Sequence, residues 1–154
     1  MSSTKNNIHI FLQQQTCATI CCVDNDGKPY CFNCFYAFNS ADGLLYFKSS
    51  VDTHHLKLLK SNPEIAGTVL RDKLNKLAIK GIQLQGELLE KSHPMVKNAS
   101  ANYYKKYPLA MAIKGEIFTI QLSEIKMTDS RFGFGKKFFW RKQVTIGPAI
   151  RKNK

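Results

Sequence analysis

The sequence predicts a mainly β protein, a small antiparallel β-barrel with flanking helices. Short runs rich in β-branched and aromatic residues are separated by tight turns containing Gly, Pro, Asn and Asp, the pattern of consecutive antiparallel strands. Six or seven such runs stand beside only three helical patterns. A barrel closes its own edges and needs no second sheet. The length of 154 residues, 44% of them apolar, favours a single compact domain.

Residues 4–15 suit an amphipathic helix: Thr4 can cap it, and Ile8, Phe11 and Leu12 share one face at i, i+3, i+4 spacing. Residues 16–23 form a first strand of small and β-branched side chains. "DNDGKP" is a turn, with Gly27 able to take positive φ and Pro29 ending the loop. A second strand covers about 30–38, "NSADG" is the next turn, and "LLYFK" is the third strand of this meander. "VDTHHLKLLKSNP" reads as a helix of about two turns, capped by Asp52 or Thr53, with Leu56 and Leu59 inward and Asn62-Pro63 ending it. "EIAGTVL" is a strand and "RDKLNK" a polar turn. "LAIKGIQLQGELLEK" is a long strand in which Gly81 and Gly86 mark bulges or a close backbone approach. "SHPMVKNASANYYKKYP" carries a helix signature, with Ser92 as N-cap, Pro94 in the first turn and Pro108 at the end. "GEIFTIQLSEIKMTD" is a strand, and "KKFFWRKQVTI" supplies the optional seventh.

No apolar run approaches the roughly 20 residues of a membrane span. The segment "MSSTKNNIHIFLQQQ" lacks the apolar core and small-residue cleavage site of a signal peptide, so the expected location is the cytoplasm. Five cysteines, an odd number in such a chain, argue for reduced thiols rather than a disulfide framework. Cys31 and Cys34 form a C-x2-C pair, but positions three apart on a strand point to opposite faces and cannot grip one ion without a turn. The net charge is +12, and residues 131–154 supply +8 of it from eight Lys or Arg and no acid. Such a segment attracts anions, although its end, "IRKNK", reads as a solubilising tail. The domain is expected over residues 1–142 and the basic tail over 143–154.

The stretch "KSSVDTHHLK" concentrates the chemistry. A strand end followed by a helix start presents unpaired backbone N–H groups and a partial positive charge, which together make an anion site. Ser49, Ser50 and Thr53 add hydroxyl donors, and Lys48 adds a point charge. A bound dianion would raise the pKa of His54 and His55 and favour their two-donor form. The plainer reading is that Thr53 caps the helix, His54 is solvated and His55 packs on the barrel. Adjacent helical residues diverge by about 100°, so the two histidines do not converge on a metal ion.

The same residues carry a resemblance. "GKPYCFNCFYAFNSADGLLYFKSS" followed by "THHLKLLKSNPEIAGTV" resembles the pyridoxamine 5'-phosphate oxidase-like FMN-binding split-barrel superfamily. The shared marks are a G-x-P-x strand entry, an L-Y-F-x-[ST]-[ST] strand end, an [ST]-[RK]-[RKH] helix start and an N-P-x-[IV]-A stop. "CFNCFYAF", "KGIQLQGEL", "YKKYPLA" and "EIKMTDSRFGFGKKFFW" are similar to its YhbP-like branch, and the match runs over roughly residues 8–142. The resemblance implies a six-stranded antiparallel split barrel and a homodimer with two FMN sites in the clefts between protomers. It puts the flavin phosphate at Lys48, Ser49, Ser50, Thr53, His54 and His55. The family commonly carries one or two cationic residues where this chain has the two histidines.

Asn33, polar within an apolar strand, either bonds a flavin ring edge or is a satisfied structural amide. The resemblance makes Trp140 a candidate to stack on or wall the partner protomer's flavin; the plainer reading is a core tryptophan. "GFGKK" lacks the G-x4-G-K-[ST] spacing of a nucleotide loop and shapes a turn instead. No Ser-His-Asp set or carboxylate pair suggests hydrolysis. Neither nucleic acid nor membrane is an expected partner. The implied activity is FMN-dependent oxidoreduction of an unspecified substrate, the cofactor carrying the redox step. The alternative is a non-enzymatic module that has lost flavin and holds another anionic ligand in the dimer cleft.

Overall fold

The computed structural model describes residues 3–133 and 135–143. Ten elements follow in order: α1 Ser3–Gln14, β1 Cys17–Val23, β2 Pro29–Asn39, β3 Leu44–Ser49, α2 His54–Ser61, β4 Glu64–Leu70, β5 Lys80–Leu88, α3 Ala99–Lys106, β6 Glu116–Asp129 and β7 Lys137–Arg141. The strands form one antiparallel sheet in the order β3-β2-β1-β4-β5-β6-β7, and an additional β3–β6 pairing closes the first six into a barrel. The seventh strand extends the sheet beyond the closure, pairing with residues 124–128 of β6.

Closure is possible because β6 is long. Residues 116–121 pair with β3, while residues from 120 onward pair with β5. The two ladders must diverge, and the register shifts between Gln85 and Gly86 where they do. Gly86 is required there: a Cβ would stand 2.3 Å from the Gln121 carbonyl oxygen. The anticipated bulge is thus present at Gly86.

The barrel interior is filled by alternate residues of each strand, with Ile20, Leu45, Phe47, Val69, Leu84, Ile120 and Ile125 among them. α1 contributes Ile8, Phe11 and Leu12, and α2 contributes Leu56 and Leu59, the faces read from their spacing. A second apolar cluster lies outside the barrel wall, where Ala99 and Tyr103 of α3 pack on Ala37, Leu44 and Tyr46.

Three expectations change. The helix read over residues 92–108 is broken. Ser92 does not cap it; the Nδ1 of His93 accepts from the Met95 N–H and starts a single 3-10 turn, Pro94–Val96, before α3 begins at Ala99. The strand read over 77–91 is only Lys80–Leu88, and Leu77 is 95% exposed in the preceding loop. The thiols are not all free: β1 and β2 set Cys21 opposite Cys31, and the two are disulfide-bonded. Which cysteines meet depends on strand register, which composition does not contain. Cys31 does face outward and Cys34 inward, as alternation requires. Among the described residues no helix is long and apolar enough to cross a membrane.

Candidate functional site

β3 leaves the barrel at Ser49, and the chain turns through residues 50–53 into α2. The turn is held by the Thr53 N–H donating to the Ser50 carbonyl at 3.4 Å and by the Thr53 hydroxyl donating to the same oxygen at 3.1 Å. Thr53 is the N-cap residue by its extended backbone, but its side chain makes no capping bond to α2. The first N–H groups of α2 are therefore not taken up by the cap.

Three side chains converge at this point. His55 Nε2 lies 2.9 Å from the Ser49 hydroxyl and 3.1 Å from the Thr53 hydroxyl, and the two hydroxyls are 3.3 Å apart. The imidazole is stacked on Phe32, centroids 3.8 Å apart at 11°. Burial, with a smaller contribution from the neighbouring His54, holds His55 below its usual pKa range. The cluster is thus two hydroxyls and a neutral imidazole beside a helix N-terminus. His54 points away from it and meets Tyr30 edge-on at 4.8 Å.

The other candidates lie apart. Lys48 turns from the Ser49–Thr53 turn toward α3: its ammonium donates to the Tyr104 hydroxyl at 2.9 Å, to the Ala110 carbonyl at 2.7 Å and to the Ile113 carbonyl. Asn33 alternates to the opposite face of β2 from Phe32, is exposed, and accepts from the Thr19 hydroxyl at 2.7 Å. Trp140 is half-buried against the core, 6.1 Å from His9 and packed over Gly43. Of the eight residues singled out from sequence, the fold gathers Ser49, Ser50, Thr53 and His55 in one turn, with His54 on its flank. Phe32 and Tyr30, which support the two histidines, escaped notice. Their alternation with Cys31 and Asn33 was the available signal, since it places them on the side of β2 that α2 covers. A cavity of about 730 Å³ opens beside α2 between Val51, Leu56, Leu59, Leu88 and Phe118, within the usual range of small-molecule sites.

A UPF0306 protein of Photorhabdus laumondii is 37% identical to this chain over 144 residues, covering 92% of this chain and all of that protein. This chain belongs to the UPF0306 family. A second UPF0306 protein, from Yersinia enterocolitica, is 35% identical over 84% of this chain and 88% of its own length. No family signature model matches the chain. Among solved structures, a heme-binding protein from Mycobacterium smegmatis is similar over 92% of this chain and 59% of its own, with a TM-score of 0.75 and 13% identity. An FAD-binding protein from Mesorhizobium loti covers 84% of this chain and 95% of its own, with a TM-score of 0.65 and 14% identity. An F420 reductase covers 76% of this chain and 94% of its own, with a TM-score of 0.57 and 15% identity. These likenesses establish the split-barrel fold of this UPF0306 chain.

Proposed function

We propose that this protein is a flavin-binding split barrel that seats the FMN phosphate in the turn between β3 and α2. The observation that carries the reading is the convergence of Ser49, Thr53 and His55 at the uncapped start of α2. The donor set fits a phosphate of this kind: hydroxyls and helix N–H groups supply neutral hydrogen bonds, and the helix dipole adds a partial positive charge. His55 accepts a proton when a dianion arrives and becomes a second-row donor. FMN, when bound, supplies the redox chemistry. The protein's own part is to hold the phosphate, wall the ring and exclude water.

The homodimer and the YhbP-like placement belong to this reading. Asn33, outward on β2, and the turn on the opposite face then serve one ligand only across a protomer interface. The outer face offers neutral residues for that purpose, with Thr19 opposite Asn33 and Cys17 opposite Phe35 on β1 and β2. That an FAD-binding protein and an F420 reductase share the fold supports a flavin-type ligand. The reaction proposed is oxidoreduction in the cytoplasm.

A second reading has a specific observation behind it. Lys48 is engaged by α3 and the segment after it, and among the described residues no lysine or arginine side chain is bonded to Ser49, Thr53 or His55. A module that has exchanged flavin for another anion, without redox activity, fits that arrangement. Titration with FMN and with riboflavin, followed by flavin fluorescence, separates the two. The flavin reading expects saturable FMN binding, with riboflavin weaker by about tenfold or more, the loss of about 1.4 kcal/mol of phosphate contacts. Failure of both ligands to bind would sink it and leave the second reading standing.

A further inference from the structure

We propose that Cys21 and Cys31 form a reversible dithiol–disulfide site that exchanges with low-molecular-weight thiols. The two residues stand directly opposite each other in the β1–β2 ladder, with Cα atoms 4.2 Å apart and their sulfurs bonded. That spacing belongs to the closer of the two pair types in an antiparallel ladder. Alternation turns both side chains to the outer face, where Cys31 is exposed and Cys21 half-buried. In the isolated protomer an attacking thiolate can therefore reach a sulfur of the bridge without opening the barrel.

The surroundings favour exchange. Next along the two strands are Thr19 and Asn33 on one side and Val23 and Pro29 on the other, and Ala66 lies across on β4. None is a carboxylate, so an anionic thiolate meets no repulsion at these positions. Cys21 also forms part of the wall of a recess of about 400 Å³, with Thr68, Gln83, Gln85, Lys126 and Glu124, the last of which is paired with Arg141. The recess gives a small thiol bearing amide or carboxylate groups somewhere to sit.

The remaining cysteines are set apart from this chemistry. Cys22 is buried, with its thiol directed to the Tyr30 carbonyl. Cys34 packs against the core, and burial, with a lesser effect of Cys17, pushes its thiol up to about 12. Cys17 is exposed, but its cross-strand neighbour is Phe35. Only one pair among the five is both matched and reachable.

The bridge is also dispensable to the fold. It joins residues 10 apart in a hairpin that already carries seven register pairs, from Cys17 opposite Phe35 to Val23 opposite Pro29. A short loop is the case in which a cross-link removes least chain entropy. In the exchange, a thiolate attacks the Cys31 sulfur, the bridge breaks, and Cys21 leaves as a thiolate that takes a proton from water. A second thiol molecule, as its thiolate, attacks the sulfur of the first in the mixed disulfide and releases Cys31. Two small thiols become one small disulfide, and the protein disulfide becomes two protein thiols.

The test needs no flavin and is independent of the phosphate turn. Protein purified without reductant should show three titratable thiols in denaturant, and five after reduction, the bridged pair plus Cys17, Cys22 and Cys34. Folded protein is then equilibrated with glutathione buffers of stepped ratio, quenched in acid and weighed by mass spectrometry. A single transition gaining two hydrogens is expected, unchanged in Cys17→Ser and absent in Cys31→Ser. Circular dichroism checks that each variant is folded; if Cys31→Ser is not, the wild-type and Cys17→Ser titrations decide. Five free thiols at every ratio, a bridge that opens only when the protein unfolds, or a transition altered by Cys17→Ser would each overturn the proposal.

Discussion

At His55, packing and the proposed phosphate contact make opposite demands on one imidazole. Burial, with a smaller contribution from His54, favours its neutral form, so its folded pKa lies below the unfolded value of 6.5. The folded state then binds fewer protons than the unfolded chain as pH falls through this range. Stability is full above the unfolded pKa and decreases toward the folded one. His9, lowered by burial and by Lys5, adds a slope of the same sign. Replacing His55 with Gln should flatten the fall in melting temperature between about pH 7 and pH 5. An unchanged slope would assign the effect to other groups. The hydroxyls give a cleaner separation of binding from stability. Ser49→Ala with Thr53→Ala should weaken FMN roughly 10- to 100-fold by loss of hydrogen bonds to a charged group, measured by fluorescence titration. Lys48→Met should do the reverse. It removes the donor to the Ile113 carbonyl and Tyr104 hydroxyl and one of the two donors to the Ala110 carbonyl, and should cost about 2 kcal/mol of stability in a urea titration, with little direct effect on affinity.

Among the elements, β6 carries the most consequential constraints. Gly86→Ala forces a Cβ against the Gln121 backbone, which cannot yield without breaking a ladder, and should cost about 3 kcal/mol or more by chemical denaturation. At its far end Asp129 is fully buried and bonded by Lys80 of β5 and by Arg131. Burial alone would raise this carboxyl, but the hydrogen bonds from Arg131 and Lys80 prevail and hold it at about 2. Its stabilisation is present above the ordinary value of 3.8 and is lost as pH falls toward 2. Asp129→Ala should cost about 3 kcal/mol and remove that acid-range dependence. These elements also mark what a sequence can reveal. Strands β1 to β3 were readable because Gly27 and Gly43 punctuate them, both at positive φ in their turns. The helix read over residues 92–108 began too early because Pro94–Val96 forms a separate 3-10 turn, capped by His93, ahead of α3. The turn at Ser49–Thr53 was legible as a local motif. The bond from Lys48 to Tyr104, 56 residues on, and the Cys21–Cys31 pairing were not, since both depend on which strands and helices become neighbours.

For the whole molecule, the six-stranded closure buries one apolar interior and leaves a sheet face outward that helices do not account for entirely. Phe35, 61% exposed on that face, is where the proposed dimer would be sensitive. Phe35→Glu should convert a dimer to a monomer in light-scattering chromatography while leaving the thermal melt of the protomer nearly unchanged. A wild-type protein that is monomeric at high concentration would remove the dimer from the proposed function and leave Asn33 without a ligand. Of the basic segment expected to attract anions, Lys136, Lys137, Arg141 and Lys142 lie on or beside β7, while residues 144–154 lie outside the described residues.

A barrel abolishes free strand edges, yet β7 restores one, since among the described residues it ends the sheet. An open edge is a template for self-association into aggregates unless charge guards it. Exposed Lys137 and Arg141 stand at the two ends of β7, and Arg141 is already paired with Glu124. With Arg141 paired, Lys137 is the charge left at this edge, and its expected resistance to pairing between copies weakens as salt shortens the screening length.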